Sequence, residues 1–113
     1  MQQRTLGSSG IQSSLIGLGC GGNSRLGLSY GATEDQAAQV VRAALDLGIT
    51  LVDTARVYGT EKAVGAALKS RQRERLVLSS KSPYLDGEGK LLSAEAFQGN
   101  LDASLRDLGV ERL

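Results

Sequence analysis

The sequence predicts an α/β fold built on parallel strands, and three observations carry that prediction. Short apolar runs alternate with amphipathic helical segments along most of the chain. The apolar runs are continuous rather than alternating, as in strands covered on both faces. The helical segments begin at polar caps and stop at glycines, so each is bounded before the next strand begins. Parallel strands joined by right-handed crossovers follow, either in a doubly wound open sheet or in part of an eight-stranded barrel.

The elements can be justified in order. Arg4-Thr-Leu6 and Ile11 to Ser14 flank Gly7-Ser-Ser-Gly10, which predicts a small hairpin. Residues 15–20, Leu-Ile-Gly-Leu-Gly-Cys, form the first buried strand, and the turn-rich stretch 21–32 is a loop. Thr33 and Gln36 have the spacing of a capping box for a helix reaching about Leu47, with Gly48 as its stop. Ala37, Val40, Val41, Ala44, Leu45 and Leu47 form its apolar stripe. Ile49 to Val52 is the second strand, and a helix from about Thr60 to Ser70 follows, where Gly65 permits close packing. Arg71 to Arg75 is a solvated charged connection, and Leu76 to Ser80 is the third strand, ending at Lys81. Residues 82–92 make a loop with Pro83, Gly87 and Gly89. Ser93 caps a third helix with Phe97, Leu101, Leu105 and Leu108 on one face, an Asp102–Arg106 pair outside it, and Gly109 at its end. Val110 to Leu113 reads as the approach to a fourth strand.

Composition narrows the function classes. Thirteen basic residues against 12 acidic leave a net charge of +1, and no basic stripe is present to track phosphates, which argues against nucleic acid. No apolar run approaches the ~20 residues of a membrane helix. The single cysteine, Cys20, has no internal disulfide partner, and the polar start lacks a signal-peptide core, so a reducing, cytoplasmic setting is expected. With no histidine and one cysteine, a zinc site on the usual ligands is excluded.

The chemistry-bearing side chains collect at strand ends. Gly17-Leu-Gly19-Cys-Gly-Gly22 matches the dinucleotide pattern G-x-G-x-x-G after a strand. In the doubly wound fold a helix would start within that motif, whereas here the next helix waits until Thr33. Small residues ending a strand closely against its neighbours account for the run more simply, and they leave Gly19 to Gly21 free to border a ligand. In parallel α/β proteins, sites lie at the carboxyl ends of the strands, where Cys20, Asp53 and Lys81 fall. With the second and third strands adjacent, about 4.8 Å apart, Asp53 and Lys81 can pair and Tyr58 can fold back beside them. An ammonium at Lys81 favours the tyrosinate and makes Tyr58 a better acid, while Asp53 keeps Lys81 charged. Each residue also has a plainer reading: Asp53 a cap, Tyr58 a packed ring, Lys81 a surface cation.

Taken together the motifs resemble the N-terminal part of an aldo-keto reductase, a family of NAD(P)H-dependent oxidoreductases built on a (β/α)8 barrel. The resemblance rests on Arg4-Thr-Leu-Gly7 with Gly10-Ile11, Gly17-Leu-Gly19, Ala44-Leu-Asp-Leu-Gly-Ile49, Asp53-Thr-Ala55, Tyr58-Gly59, Glu61 with Gly65, Ser80-Lys81, and Ser104-Leu-Arg-Asp-Leu108. It covers almost the whole chain in order. It implies about three βα units of the barrel preceded by a β-hairpin, with Tyr58 as general acid, Lys81 as its modulator and Asp53 as the partner of Lys81. It also implies NADP or NAD as cofactor, with Gly19, Cys20, Gly21 and Asp53 beside the nicotinamide, and a small carbonyl or sugar substrate. The loop from Gly22 to Gly31 resembles that of branches acting on sugars or related small aldehydes and lactols.

The chain also departs from that family. Its fourth catalytic residue is a histidine at the end of the next strand, and this chain has none. A barrel needs ~250 residues, so residues 1–113 are expected to be a partial domain, incomplete at the C-terminus and inactive alone. Open strand edges would make the isolated chain prone to associate. The alternatives are a non-catalytic binding or regulatory module of the same fold and a small open-sheet dinucleotide-binding domain.

Overall fold

A computed structural model describes residues 1–69 and 71–113. Strands β1 (Gln3–Thr5) and β2 (Gln12–Ser14) form the expected antiparallel hairpin. Strands β3 (Gly17–Gly19), β4 (Leu51–Asp53) and β5 (Val77–Ser79) form a parallel sheet in sequential order. Helices α1 (Glu34–Asp46), α2 (Glu61–Leu68) and α3 (Ala94–Leu108) alternate with them.

One row of the sheet, Leu18, Val52 and Leu78, is in register and packs with Ala37, Val41, Val64 and Leu108 in a single apolar cluster. Successive strand side chains point to opposite faces, so Gly17, Gly19, Leu51, Asp53, Val77 and Ser79 occupy the other face. All three helices therefore cover the same side of the sheet. Sequential strand order with helices on one face is a sector of a (β/α)8 barrel; a doubly wound sheet would reverse its order and carry helices on both faces.

The helix boundaries follow their capping chemistry. Thr33 accepts a hydrogen bond from the Gln36 amide, and the Gln36 side chain accepts one from the Thr33 amide. Gly48 takes φ +89°, a left-handed conformation that a side chain would strain. Ser93 caps α3, and Gly109 ends it in the left-handed region. Ser70, the expected end of the second helix, lies outside the described residues.

Several expectations are corrected. The strands are shorter than the apolar runs: Leu15 and Ile16 are exposed, and the Leu15 amide bonds the Gln2 carbonyl, extending the hairpin link. Ile49 completes the exit from α1 through its amide to the Ala44 carbonyl. Val40 and Leu47 are exposed while Ala38 is buried, because the two lie together on a flank beyond the ~100° stripe that meets the core. Phe97 is 43% exposed, and Leu101 and Leu105 are only half-buried. Helix α3 has 15 residues against eight in α2, and it meets α2 near Gly65 through Asp107 and Leu108, so its first turns overhang.

Asp102, expected to pair with Arg106, instead accepts a hydrogen bond from Gln98 at 2.9 Å. The charged connection is more than solvated chain: Arg71 pairs with Asp46, and Arg73 donates to the carbonyls of Leu76 and Arg112. The 82–92 loop is a small hairpin closed by a Leu85–Leu91 bridge, with Asp86 accepting from the Glu88 and Lys90 amides.

Candidate active site

The carboxyl end of the sheet brings together the residues singled out in the sequence. Asp53 ends β4, opposite Gly19 on one side and Ser79 on the other. Its carboxylate accepts from Ser79 Oγ at 3.0 Å and receives Lys81 Nζ on both oxygens at 2.7 Å. Lys81 Nζ also donates to the Thr54 carbonyl at 3.0 Å, so all its donors point to oxygen within one small region. The Asp53 hydrogen bond holds the Lys81 ammonium above its ordinary pKa, with the nearby Tyr58 adding to the effect.

Tyr58 reaches this point because the chain turns sharply after β4. Residues Arg56–Tyr58 form a short 3₁₀ turn that closes at Gly59, where φ is +66°. The turn is laced to the end of β5: the Thr54 amide donates to the Ser79 carbonyl and the Arg56 amide to the Lys81 carbonyl, both at 2.9 Å. Lys81 Nζ consequently stands over the Tyr58 ring, 5.3 Å from its centroid. The ring also lies against Gly21; a Cβ there would sit 2.6 Å from the ring. Gly21 is therefore required for the tyrosine to occupy this position.

Cys20 also falls at the strand end but is fully buried. Burial pushes its thiol up to about 12, with the Asp53 charge adding to the effect, so it is an inert packing group and not a nucleophile. Among the described residues no cluster of potential ligands could hold a metal ion. A cavity of about 240 Å³ adjoins Tyr58 and Lys81, walled mainly by apolar groups of Val57, Pro83, Tyr84 and Leu85.

Two further contributors are Arg25, not singled out in the sequence, and Glu61, which entered there only through the family resemblance. Arg25 donates from Nε to the Tyr58 carbonyl at 2.6 Å, bringing the 21–32 loop onto the tyrosine turn. Arg25 and Leu26 both have positive φ, 48° and 60°, an uncommon conformation for such side chains. Glu61 is 2% exposed, and it accepts from Ser80 Oγ at 2.7 Å and Arg56 Nη1 at 3.0 Å. A carboxylate in the first turn of a helix just after Tyr58-Gly59 was visible in the sequence; its burial and its partners were not.

The family model for the Aldo/keto reductase family matches residues 16–113. The chain belongs to the aldo/keto reductase family. Aldo-keto reductase YhdN of Bacillus subtilis is 38% identical over 87 residues, which are 73% of this chain and 26% of that protein. L-galactose dehydrogenase of Arabidopsis thaliana is 35% identical over 117 aligned positions, covering 98% of this chain and 35% of that protein. The holo form of aldo-keto reductase AKR11C1 from Bacillus halodurans superposes with a TM-score of 0.77 at 31% identity, over 100% of this chain and 38% of that one. The chain thus spans about a quarter to a third of the length of the curated relatives it matches. Its three βα units belong to the (β/α)8 barrel of that family.

Proposed function

We infer that this chain carries the proton-donating part of an NAD(P)H-dependent carbonyl reductase, with Tyr58 as general acid. The observation that carries the reading is the Lys81 ammonium, tied to both oxygens of Asp53 and standing over the Tyr58 ring. A phenol next to a fixed positive charge gives up its proton more readily to a carbonyl oxygen that is becoming an alkoxide. Asp53 keeps that charge in place. The pair is half-exposed and contributes little to stability, so position is its more valuable product.

A bound nicotinamide would supply the hydride. The residues present fit such a ring: a Cβ built at Gly19 has no atom within 4 Å, leaving open space beside Asp53 on the helix-free face. Gly19, Cys20, Gly21 and Asp53 would border it, Cys20 through its backbone. NADP and NAD are both compatible with this set. The apolar cavity beside Tyr58 suits a small carbonyl compound or sugar, and the likeness to a protein named L-galactose dehydrogenase supports the sugar reading.

Turnover in this reading belongs to a polypeptide that extends residues 1–113 to the eight units of the barrel, with the cytoplasm as its setting. The experiment is Tyr58→Phe in such a polypeptide, following NAD(P)H oxidation with small aldehydes and sugar lactols. Loss of rate by about 10²- to 10⁴-fold with unchanged cofactor affinity is the expected result. Undiminished rates in the Phe variant would remove Tyr58 from the mechanism.

A further inference from the structure

The strongest group outside the site itself is the buried carboxylate of Glu61. One oxygen accepts from Ser80 Oγ, and Ser80 immediately precedes Lys81. The other accepts from Arg56 Nη1, and Arg56 lies two residues before Tyr58. Arg56 is bound again through its side chain to Asp107 on α3 and through its amide to the Lys81 carbonyl. These partners satisfy polar oxygens that would otherwise be costly so far from water, and the Asp107 and Glu61 hydrogen bonds in turn hold the Arg56 cation above its ordinary pKa.

We propose that Glu61 is a positioning residue: its carboxylate clamps the strand end bearing Lys81 to the turn bearing Tyr58, through Ser80 and Arg56, and so sets the distance between ammonium and phenol. Helix α3 takes part through Asp107, which accepts from the same Arg56 Nη1 and holds the guanidinium from a second element. The proposal rests on the reading of Tyr58 and Lys81 as a proton-donating pair, but the clamp itself has an observable that does not involve that chemistry. The Arg56 amide bond to the Lys81 carbonyl, 2.9 Å long, closes the same span and opens when the two segments separate.

The test compares the polypeptide extended to the full barrel with its Glu61→Ala, Glu61→Gln and Ser80→Ala variants by amide hydrogen exchange and by the ring signals of Tyr58. In Glu61→Ala and Ser80→Ala, the Arg56 amide should exchange about tenfold faster while the Ala37 amide of α1 keeps its rate. The Tyr58 ring signals should move toward those of a Lys81→Met reference, with Tyr30 and Tyr84 unmoved. Glu61→Gln, which keeps the shape but loses the charge, should fall between. Should Glu61→Ala fail to fold, Ser80→Ala decides, since it removes only the hydroxyl side of the clamp. An unchanged Arg56 rate, or equal acceleration at Arg56 and Ala37, overturns the proposal. Should Lys81→Met leave the Tyr58 signals where they are in the parent chain, the proton-donor reading fails, and the Arg56 rate alone then decides for or against the clamp.

Discussion

At the amino end of the parallel sheet, Ser14 Oγ accepts from the amides of Thr50 and Leu51 while Thr50 Oγ1 accepts from the Ser14 amide. At the carboxyl end, the corresponding ties are made by Asp53, Lys81, Arg56 and Glu61. Both ends fasten a loop to strands of the same sheet. The amino end does so with neutral groups from a hairpin, and its Ser13 and Ser14 are buried. The carboxyl end uses charges, two of them half-exposed on the helix-free face. Neutral hydrogen bonds fasten without creating a field; charges also fasten, and they act on whatever lies beside them. The contrast separates a stabilising floor from a chemically active rim, as the barrel architecture demands.

Substitutions at the two ends should break this contrast in graded ways. The largest effect on stability belongs to Glu61→Ala at the rim, about 2–4 kcal/mol in denaturant unfolding, because a buried side chain is removed, Ser80 Oγ loses its acceptor and Arg56 is left with Asp107 alone. Ser14→Ala at the floor should cost about 1–3 kcal/mol, since it orphans the Thr50 and Leu51 amides, yet leave the Tyr58 ring signals unmoved.

Gly17, which opens β3, and Gly21, two residues beyond its end, allow the same change to be made twice. Alanine at Gly21 would force its Cβ against the Tyr58 ring, whereas alanine at Gly17 would meet Leu51 Cδ2 at 2.9 Å, the end of a side chain able to rotate. Gly21→Ala should therefore displace the tyrosine and cost about 1–3 kcal/mol in thermal unfolding, and Gly17→Ala should cost less and spare the tyrosine.

The smallest effect is expected at Lys81. Its pKa is raised above the ordinary 10.5 by the Asp53 hydrogen bond, so the stability it contributes is fully present below the unfolded value and is lost as pH rises through the folded one. Both partners are more than a third exposed, so Lys81→Met should lower stability by no more than about 1 kcal/mol at pH 7. Unfolding midpoints of parent and variant should converge on the alkaline side.

What was legible in the sequence was local or periodic. The Thr33 and Ser93 caps, the Gly48 and Gly109 stops and the order of strands and helices all depend on neighbours within a few residues. Asp53 and Lys81 could be paired because strand ends share one rim. Less legible was anything set by what an element packs against. Phe97 has the spacing of a core residue, but α3 overhangs the shorter α2. Val40 and Leu47 are apolar yet lie on an uncovered flank. Arg73 reads as one cation in a charged run, and only the folded chain gives it the Arg112 carbonyl, 39 residues away. The partners of Glu61 were hidden for the same reason, being set by the approach of the β5 end and of the Arg56 turn.

The separation of floor from rim is tested most directly by titrating the chain with reduced nicotinamide mononucleotide at millimolar concentration while following its backbone amide signals. Shifts confined to Gly19, Cys20, Gly21, the 53–59 segment and Lys81 are the predicted result. Shifts centred instead on the hairpin and Thr50, or none at the rim, would contradict it.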